Sequence, residues 1–245
     1  MHDTTDNKCA CHDARPPSVV RRRAVLGLAA AAAMTNLAVA PHAGAQTAAR
    51  DAALIRAAEA GDAAEVKALL AQGASVRARD ASGRTALVAA TYGNRVEAAR
   101  LLLEAGADVN AQDDIRNSAF LLAGARGYLE ILRMTLGAGA DLASTNRYGG
   151  TALIPACHYG HVDTVRELLK TRIDVNHVNN LGWTALLEAV ILGDGGAAHT
   201  EIVRLLLAAK ANPNIADAQG VTPLAHARQR GYGAMARAIE QAGGR

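Results

Sequence analysis

Cysteine and histidine side chains in the middle of the chain are the first candidates for chemistry. Cys157, His158 and His161 form a C-H-x-x-H cluster, and His199 lies farther along the chain. Zinc accepts thiolate and imidazole ligands but needs three or four within tetrahedral reach. A fourth ligand is missing from any obvious place, so the sequence predicts no metal, and a metal site stays an alternative.

A glycine-rich segment, residues 193–199, is the second candidate. Such segments bind phosphate when Lys and then Ser or Thr follow the glycines. Ala197, Ala198 and His199 follow here instead, so phosphate binding is not expected. The favoured interpretation is a surface insertion, which costs little loop-closure entropy. The alternative is a periplasmic protein that binds a small ligand or a metal in a cleft beside this segment.

Neither a catalytic constellation nor a basic surface is visible in the sequence. No Ser/His/Asp arrangement and no pair of carboxylates stands out, so we predict no catalytic residue, no cofactor and no enzymatic activity. The formal net charge is +3, but five basic and three acidic residues lie within the first 45, which leaves +1 for the remainder. Because nucleic-acid binding requires a basic stripe, nucleic acid is not an expected partner.

A repeat with a period of 33 residues must position these side chains. Its marker is Thr or Ser, then Ala or Pro, then Leu or Phe; the markers begin at Thr85, Ser118, Thr151 and Thr184, and at Thr222 after a step of 38. Such a period signals stacked supersecondary units rather than one globular core. Each marker hydroxyl is expected to cap the first of two helices in its unit.

Four positions depart from the repeat. Arg172 and Lys210 replace the glycine that ends the second helix of other units, and each must adopt a left-handed backbone or end its helix differently. Thr135 replaces a core Leu. Glu240 replaces the Leu on which a following unit would pack, as a terminal cap requires.

These motifs resemble the ankyrin repeat, whose consensus contains G-x-T-P-L-H-x-A-A, then G-H, V-x-x-L-L and G-A-D-V-N. The best copies are residues 149–153, 160–162 and 106–110. The resemblance implies an all-α repeat solenoid of stacked helix-turn-helix units with short β-turn or hairpin connections. It predicts an ankyrin-repeat domain over residues 46–245 with about six repeats, the first and last acting as caps: 51–79, 80–112, 113–145, 146–178, 179–216 and 217–245.

The amino terminus has the three-part layout of a signal peptide over residues 1–45. A polar lead ends in Arg21-Arg22-Arg23, an apolar run follows, and Ala43-Gly44-Ala45 offers a cleavage site near Ala45. The arginines resemble a twin-arginine signal, although the general secretory route and an uncleaved anchor remain alternatives. We therefore expect a periplasmic or secreted protein without stable membrane insertion after signal removal.

The resemblance places the partner surface on the concave face, which consists of turn tips and first helices. Aromatic and arginine side chains dominate interface energetics, and they cluster on two adjoining units. The predicted partner-binding residues are Arg126, Arg147, Tyr148, His158, Tyr159, Trp183 and Leu181. The alternative is that Trp183 and Tyr148 pack within the turn stack.

The expected function follows from this surface and from the signal. We expect an exported, monomeric protein–protein interaction module whose partner is another protein. The resemblance is also compatible with a role in protecting periplasmic enzymes under stress.

Overall fold

The computed structural model describes residues 43–245, so the predicted signal peptide lies outside the described residues except for residues 43–45. The described part of the chain contains helices and no strand. The helices are α1 (Ala43–Ala60), α2 (Ala63–Ala71), α3 (Ala86–Tyr92), α4 (Val96–Glu104), α5 (Ala119–Arg126), α6 (Leu129–Gly137), α7 (Leu153–His158), α8 (Val162–Leu168), α9 (Ala185–Ile191), α10 (Ala197–Ala208), α11 (Pro223–Gln229) and α12 (Gly233–Gln241). Within residues 43–245, none of these helices has the length and apolar character that a membrane crossing requires.

The helices form two packed layers. Each odd-numbered helix contacts the even-numbered helix that follows it and the odd-numbered helix of the next pair. Even-numbered helices contact one another in the same order. We call the odd-numbered helices the first-helix layer and the even-numbered helices the second-helix layer. This stack of helix pairs confirms the expected all-helical repeat solenoid.

One apolar side chain per unit marks the core at the repeat spacing. Each lies in the first-helix layer and is almost completely buried: Leu54, Leu87, Phe120, Leu153, Leu186 and Leu224. Burying a side chain of this size contributes roughly 1.5–3 kcal/mol. Because each of these side chains belongs to a continuous cluster that spans the stack, neighbouring units stabilise one another.

The marker hydroxyls cap the first helices as expected in four of the five units. The hydroxyls of Thr85, Ser118, Thr184 and Thr222 accept a hydrogen bond from the backbone N–H three residues later. Thr151 is the exception, and its hydroxyl is buried without a hydrogen-bond partner. Pro155 has no N–H to reach the Thr151 carbonyl, which instead accepts from Ile154 N at 3.3 Å. The turn tightens, and the cap is lost.

The turn before each first helix is held by the side chain of its first residue. The Oδ1 atom of the first turn residue accepts hydrogen bonds from the backbone N–H groups two and four residues later. This arrangement recurs at Asp80, Asp113, Asn146, Asn179 and Asp217. It fixes the tips of the turns relative to the helices.

The departures from the repeat are accommodated locally. Lys210 adopts a left-handed backbone with a φ of 67°. Arg172 does not, because the Thr171 hydroxyl donates to the Leu168 carbonyl and accepts from Ile173 N. The buried hydroxyl of Thr135 donates to the Leu132 carbonyl at 2.8 Å. Glu240 is exposed and pairs with Arg228 at 2.6 Å.

Candidate partner-binding groove

A groove of about 880 Å³ runs across the first-helix layer and the turn tips. Its lining comes from the turns that begin at Asp113, Asn146 and Asn179 and from helices α5, α7 and α9. We call it the tyrosine groove; the side chains that define it are Ile115, Tyr148, Tyr159, Leu181, Leu192 and Glu188.

Exposed apolar side chains concentrate in the tyrosine groove. Among residues 43–245, six large hydrophobic side chains are exposed, and five of them line this groove: Ile115, Tyr148, Tyr159, Leu181 and Leu192. Tyr148 is 52 % exposed and Tyr159 is 59 % exposed. Contiguous apolar surface of this kind marks an interaction site more often than scattered apolar residues do.

Asparagine side chains position the two turns that form one wall. Asn146 Oδ1 accepts from Tyr148 N at 2.9 Å, and Asn179 Oδ1 accepts from Leu181 N at 2.9 Å. Asn180 N donates to the Tyr148 carbonyl at 2.9 Å, which joins one turn to the next. Because the backbone is held at each tip, Tyr148 and Leu181 are presented with little conformational freedom.

Pairwise ring contacts orient the aromatic side chains. The Arg147 guanidinium lies 4.8 Å from the centre of the Tyr148 ring and donates to the Tyr148 hydroxyl at 2.9 Å. The His158 and Tyr159 rings are stacked, with centroids 4.2 Å apart and an interplanar angle of 9°. Arg126 lines the groove and is exposed. The groove therefore combines rigid aromatic surface with exposed cationic side chains.

A buried carboxyl group, Glu188, also lines the groove. Its Oε1 atom accepts from Asn179 Nδ2 at 3.1 Å, and its Oε2 atom lies 3.6 Å from His158 Nδ1. Burial raises the pKa of Glu188 to about 7, although the hydrogen bond from Asn179 acts in the opposite direction. Burial, and then the nearby charge of His199, lower the pKa of His158. His158 therefore supplies little positive charge to Glu188 at neutral pH.

Comparison with known proteins identifies the family. A family model described as ankyrin repeats in three copies matches residues 26–113 and 120–217. The chain belongs to the ankyrin-repeat family. Ankyrin repeats are protein–protein interaction modules, and the family consists generally of non-enzymatic binding scaffolds. The first matched range begins inside the predicted signal peptide, whose boundaries stay a prediction.

Two solved structures are similar over most of the ankyrin stack. A crystal structure of an ankyrin repeat domain from Acinetobacter baumannii AYE is 58 % identical, covers 78 % of this chain and 98 % of its own, and has a TM-score of 0.76. A second ankyrin repeat protein of known structure is 41 % identical, covers 77 % of this chain and 96 % of its own, and has a TM-score of 0.75.

A curated relative matches a shorter segment. YahD of Escherichia coli strain K12, which is also named for its ankyrin repeats, is 45 % identical over 56 residues. That segment is 23 % of this chain and 28 % of YahD, so the chain spans little more than a quarter of that relative.

Six of the seven predicted partner-binding residues line the tyrosine groove: Arg126, Arg147, Tyr148, His158, Tyr159 and Leu181. Trp183 is half-buried and is not among the lining residues, and its backbone N–H donates to Asn179 Oδ1 at 3.0 Å. Leu181 therefore lines the groove, whereas Trp183, at the base of the same turn, does not. Contact of these residues with a partner stays a prediction.

Glu188 is the groove residue that sequence reasoning missed. It occupies the x position of the ankyrin motif T-P-L-H-x-A-A, where the other marked units carry Ala89, Leu122, Pro155 and His226. An acid at a first-helix position that is apolar in three other units is a signal that alignment of the units would have shown.

The insertion at residues 193–199 is tied to the ankyrin stack by packing contacts. Both ring nitrogens of His199 lie 2.9 Å from oxygens, one from Asp194 Oδ1 and one from the His158 carbonyl. The Tyr232 hydroxyl donates to the Gly193 carbonyl at 3.1 Å. Cys157 is completely buried, and burial raises the pKa of its thiol. In the described part of the chain, no three His, Cys, Asp or Glu side chains are grouped as metal ligands.

Proposed function

We propose that this chain is an exported interaction module that binds another protein in the tyrosine groove. The observation that carries the proposal is the concentration of exposed apolar side chains on this one face. Burial of Tyr148 and Tyr159 against a partner supplies the apolar contribution to affinity. Arg126 and Arg147 border that surface and supply charge-assisted hydrogen bonds. Membership of the ankyrin family supports a protein as the partner, and the exposed apolar side chains support this groove as the binding surface.

Export to the periplasm is the second element of the proposal, and residues 1–45 support it. The tract Arg21-Arg22-Arg23, the apolar run and the small residues before Gln46 have the order of a cleavable signal. In that compartment we expect the module to act as a monomer and to support the protection of a periplasmic enzyme under stress. Mass spectrometry of the protein purified from the periplasm tests this element, because cleavage after Ala45 predicts an amino-terminal Gln46. A protein that retains Arg21–Arg23 and stays in the cytoplasm contradicts it.

Crosslinking in living cells tests the binding surface. A photo-crosslinking residue at Tyr148 or Tyr159 is expected to capture a specific protein, which mass spectrometry identifies. The same residue at Arg133 is the matched control, because Arg133 is exposed in the second-helix layer. Capture of the same protein with equal yield from Arg133 contradicts the assignment of the groove.

A further inference from the structure

We propose that the tyrosine groove takes a lysine or arginine side chain of the partner, which pairs with the Glu188 carboxylate while neighbouring apolar residues of the partner pack on Tyr148, Tyr159 and Leu181. This inference rests on the proposed function and names the chemistry of the segment that binds. The partner segment is thus a basic side chain flanked by apolar ones.

The hydrogen bonding of Glu188 leaves acceptor capacity toward the groove. An ionised carboxylate offers about four lone-pair sites for donors. Asn179 Nδ2 occupies a site on Oε1 at 3.1 Å. The nearest cationic candidate for Oε2, His158 Nδ1, lies at 3.6 Å, which is beyond a good hydrogen bond. Glu188 is only 5 % exposed, yet it belongs to the groove lining. The Glu188 carboxylate is therefore a buried acceptor that lines the groove and can accept a further hydrogen bond there.

The electrostatics favour a cation at this position. A carboxylate that is buried without full compensation is costly, which is why burial raises the pKa of Glu188. An ammonium or guanidinium group that enters the groove supplies the missing charge and the missing donors. Because the site is sheltered from water, the attraction is screened less than between exposed groups.

The exposed arginines of the groove do not outweigh this preference. The Arg147 guanidinium already lies over the Tyr148 ring and donates to its hydroxyl. Arg126 is exposed, so water and salt screen its attraction for an acidic partner. Glu188 is buried, and it is therefore the stronger determinant of the charge that the groove accepts.

The sixth unit carries an acid and a base at the two positions that Asn179 and Glu188 occupy in the fifth unit. Asp217 and His226 are nine residues apart, as Asn179 and Glu188 are, and their side chains meet at 2.7 Å. In the sixth unit an acid in the turn thus meets a basic side chain on the first helix. In the fifth unit the acid, Glu188, stands at the helix position and an amide, Asn179, stands at the turn position, so the pair contains no base. A partner's basic side chain supplies the group that the fifth unit lacks.

Selection from a phage-displayed library of random short peptides on the purified protein tests the inference. We expect the selected peptides to share one Lys or Arg flanked by aliphatic or aromatic residues. Glu188→Gln, which keeps the size and an acceptor oxygen, is expected to weaken their binding about 30-fold or more. Glu201→Gln is the matched control, because Glu201 lies in the second-helix layer, and it is expected to bind as the wild type does. Thermal unfolding confirms that each variant is folded.

A second measurement leaves the protein unchanged. Replacing the basic residue of a selected peptide by citrulline or Met is expected to reduce its affinity for the wild-type protein as strongly as Glu188→Gln does. Selected peptides that are acidic or wholly apolar, or whose basic residue is dispensable, overturn the inference and leave the proposed function standing. Peptides that bind Tyr148→Ala and Tyr159→Ala variants as tightly as the wild type, or a library that yields no binder, count against the groove itself.

Discussion

The two layers of the stack use charge in opposite ways. The second-helix layer carries ion pairs within and between units, among them Arg133–Glu167 at 3.1 Å and Arg166–Glu201 at 2.8 Å. The tyrosine groove, on the first-helix side, carries exposed aromatic and aliphatic side chains and a buried carboxyl group. The second-helix layer thus pairs charges within the chain, whereas the tyrosine groove leaves apolar side chains exposed.

This difference bears on which face is expected to bind a partner. Exposed ion pairs contribute little to stability, typically 0.2–1 kcal/mol by rough measure, but they keep a surface soluble. Exposed tyrosine rings add little to solubility, and an acid whose pKa is raised by burial is expected to lower the stability of the free protein at pH values above 4.5. Features that are unfavourable in the free protein are expected where a partner compensates for them. Three substitutions test this contrast and a further one tests the two helix ends, from the largest expected effect to the smallest.

Glu188→Gln is expected to raise the free energy of unfolding by about 3 kcal/mol at about pH 8, because the folded-state pKa of about 7 lies above the ordinary 4.5. The folded protein binds this proton more tightly than the unfolded chain does. Stability therefore falls in the wild type as the pH rises from 4.5 to about 7, and the variant lacks this loss. Urea unfolding across this pH range measures the difference.

The ionisable neighbours of Glu188 are present in both proteins: His158 on α7, His199 on α10 and the Cys157 thiol. The charge of Glu188 contributes to the raised pKa of the Cys157 thiol, so the two proteins are compared at or below about pH 8, where burial keeps that thiol protonated in both. At pH 4.5 and below, the two proteins are expected to be nearly equal in stability. A difference that is constant with pH shows that Glu188 is not the destabilising group.

Tyr159→Ala is expected to weaken partner binding by about 2 kcal/mol or more, because the exposed ring loses the area that it buries against the partner. Stability is expected to change by less than about 0.5 kcal/mol, since Tyr159 is exposed. Isothermal titration calorimetry with the purified partner that crosslinking identified measures the affinity. Trp183→Ala is the comparison, because Trp183 does not line the groove. If Trp183→Ala weakens partner binding more than Tyr159→Ala does, the centre of the binding site lies at the base of the turn and not in the groove.

Lys210→Gly is expected to stabilise the protein by about 1 kcal/mol, because Lys210 has a φ of 67° where a side chain is strained. Arg172→Gly is the matched control at the equivalent position of the preceding unit. It is expected to give no gain, because Thr171 ends that helix by another route. Thermal unfolding of both variants measures this, and equal gains contradict the account of the two helix ends.

Arg166→Ala is expected to change stability by less than about 0.5 kcal/mol, because its partner Glu201 and the guanidinium are both accessible to water. Partner binding is expected to stay unchanged. The same unfolding and affinity measurements apply, and a loss of binding with Arg166→Ala places the partner on the second-helix layer instead.

The repeat made most of the fold predictable from the sequence. Its period fixed the register of the buried side chains at Leu87, Phe120, Leu153 and Leu186, and the glycine and Thr positions indicated where helices begin and end. Local substitutions were harder to predict. The loss of the cap at Thr151 depends on Pro155 four residues later, and only the hydrogen-bond geometry shows it.

Part of the groove could also be predicted from the register of the repeat. Tyr148, Tyr159 and Arg147 occupy tip and first-helix positions of the repeat, so their common face follows from the register. Glu188 did not follow, because composition cannot distinguish a solvated acid from a buried one. The repeat register also puts Trp183 among the turn-tip positions, whereas Trp183 does not line the groove although its equivalents Asn117 and Gly150 do.

Hydrogen–deuterium exchange of the protein, with and without the partner that crosslinking identified, tests most directly whether the partner binds the tyrosine groove or the second-helix layer. We expect protection on binding in the turns at 146–150 and 179–183 and in α7, and unchanged exchange in α4, α6 and α8. Protection confined to those second helices, with the turns unaffected, contradicts the account, because the ion-paired layer is then the binding face.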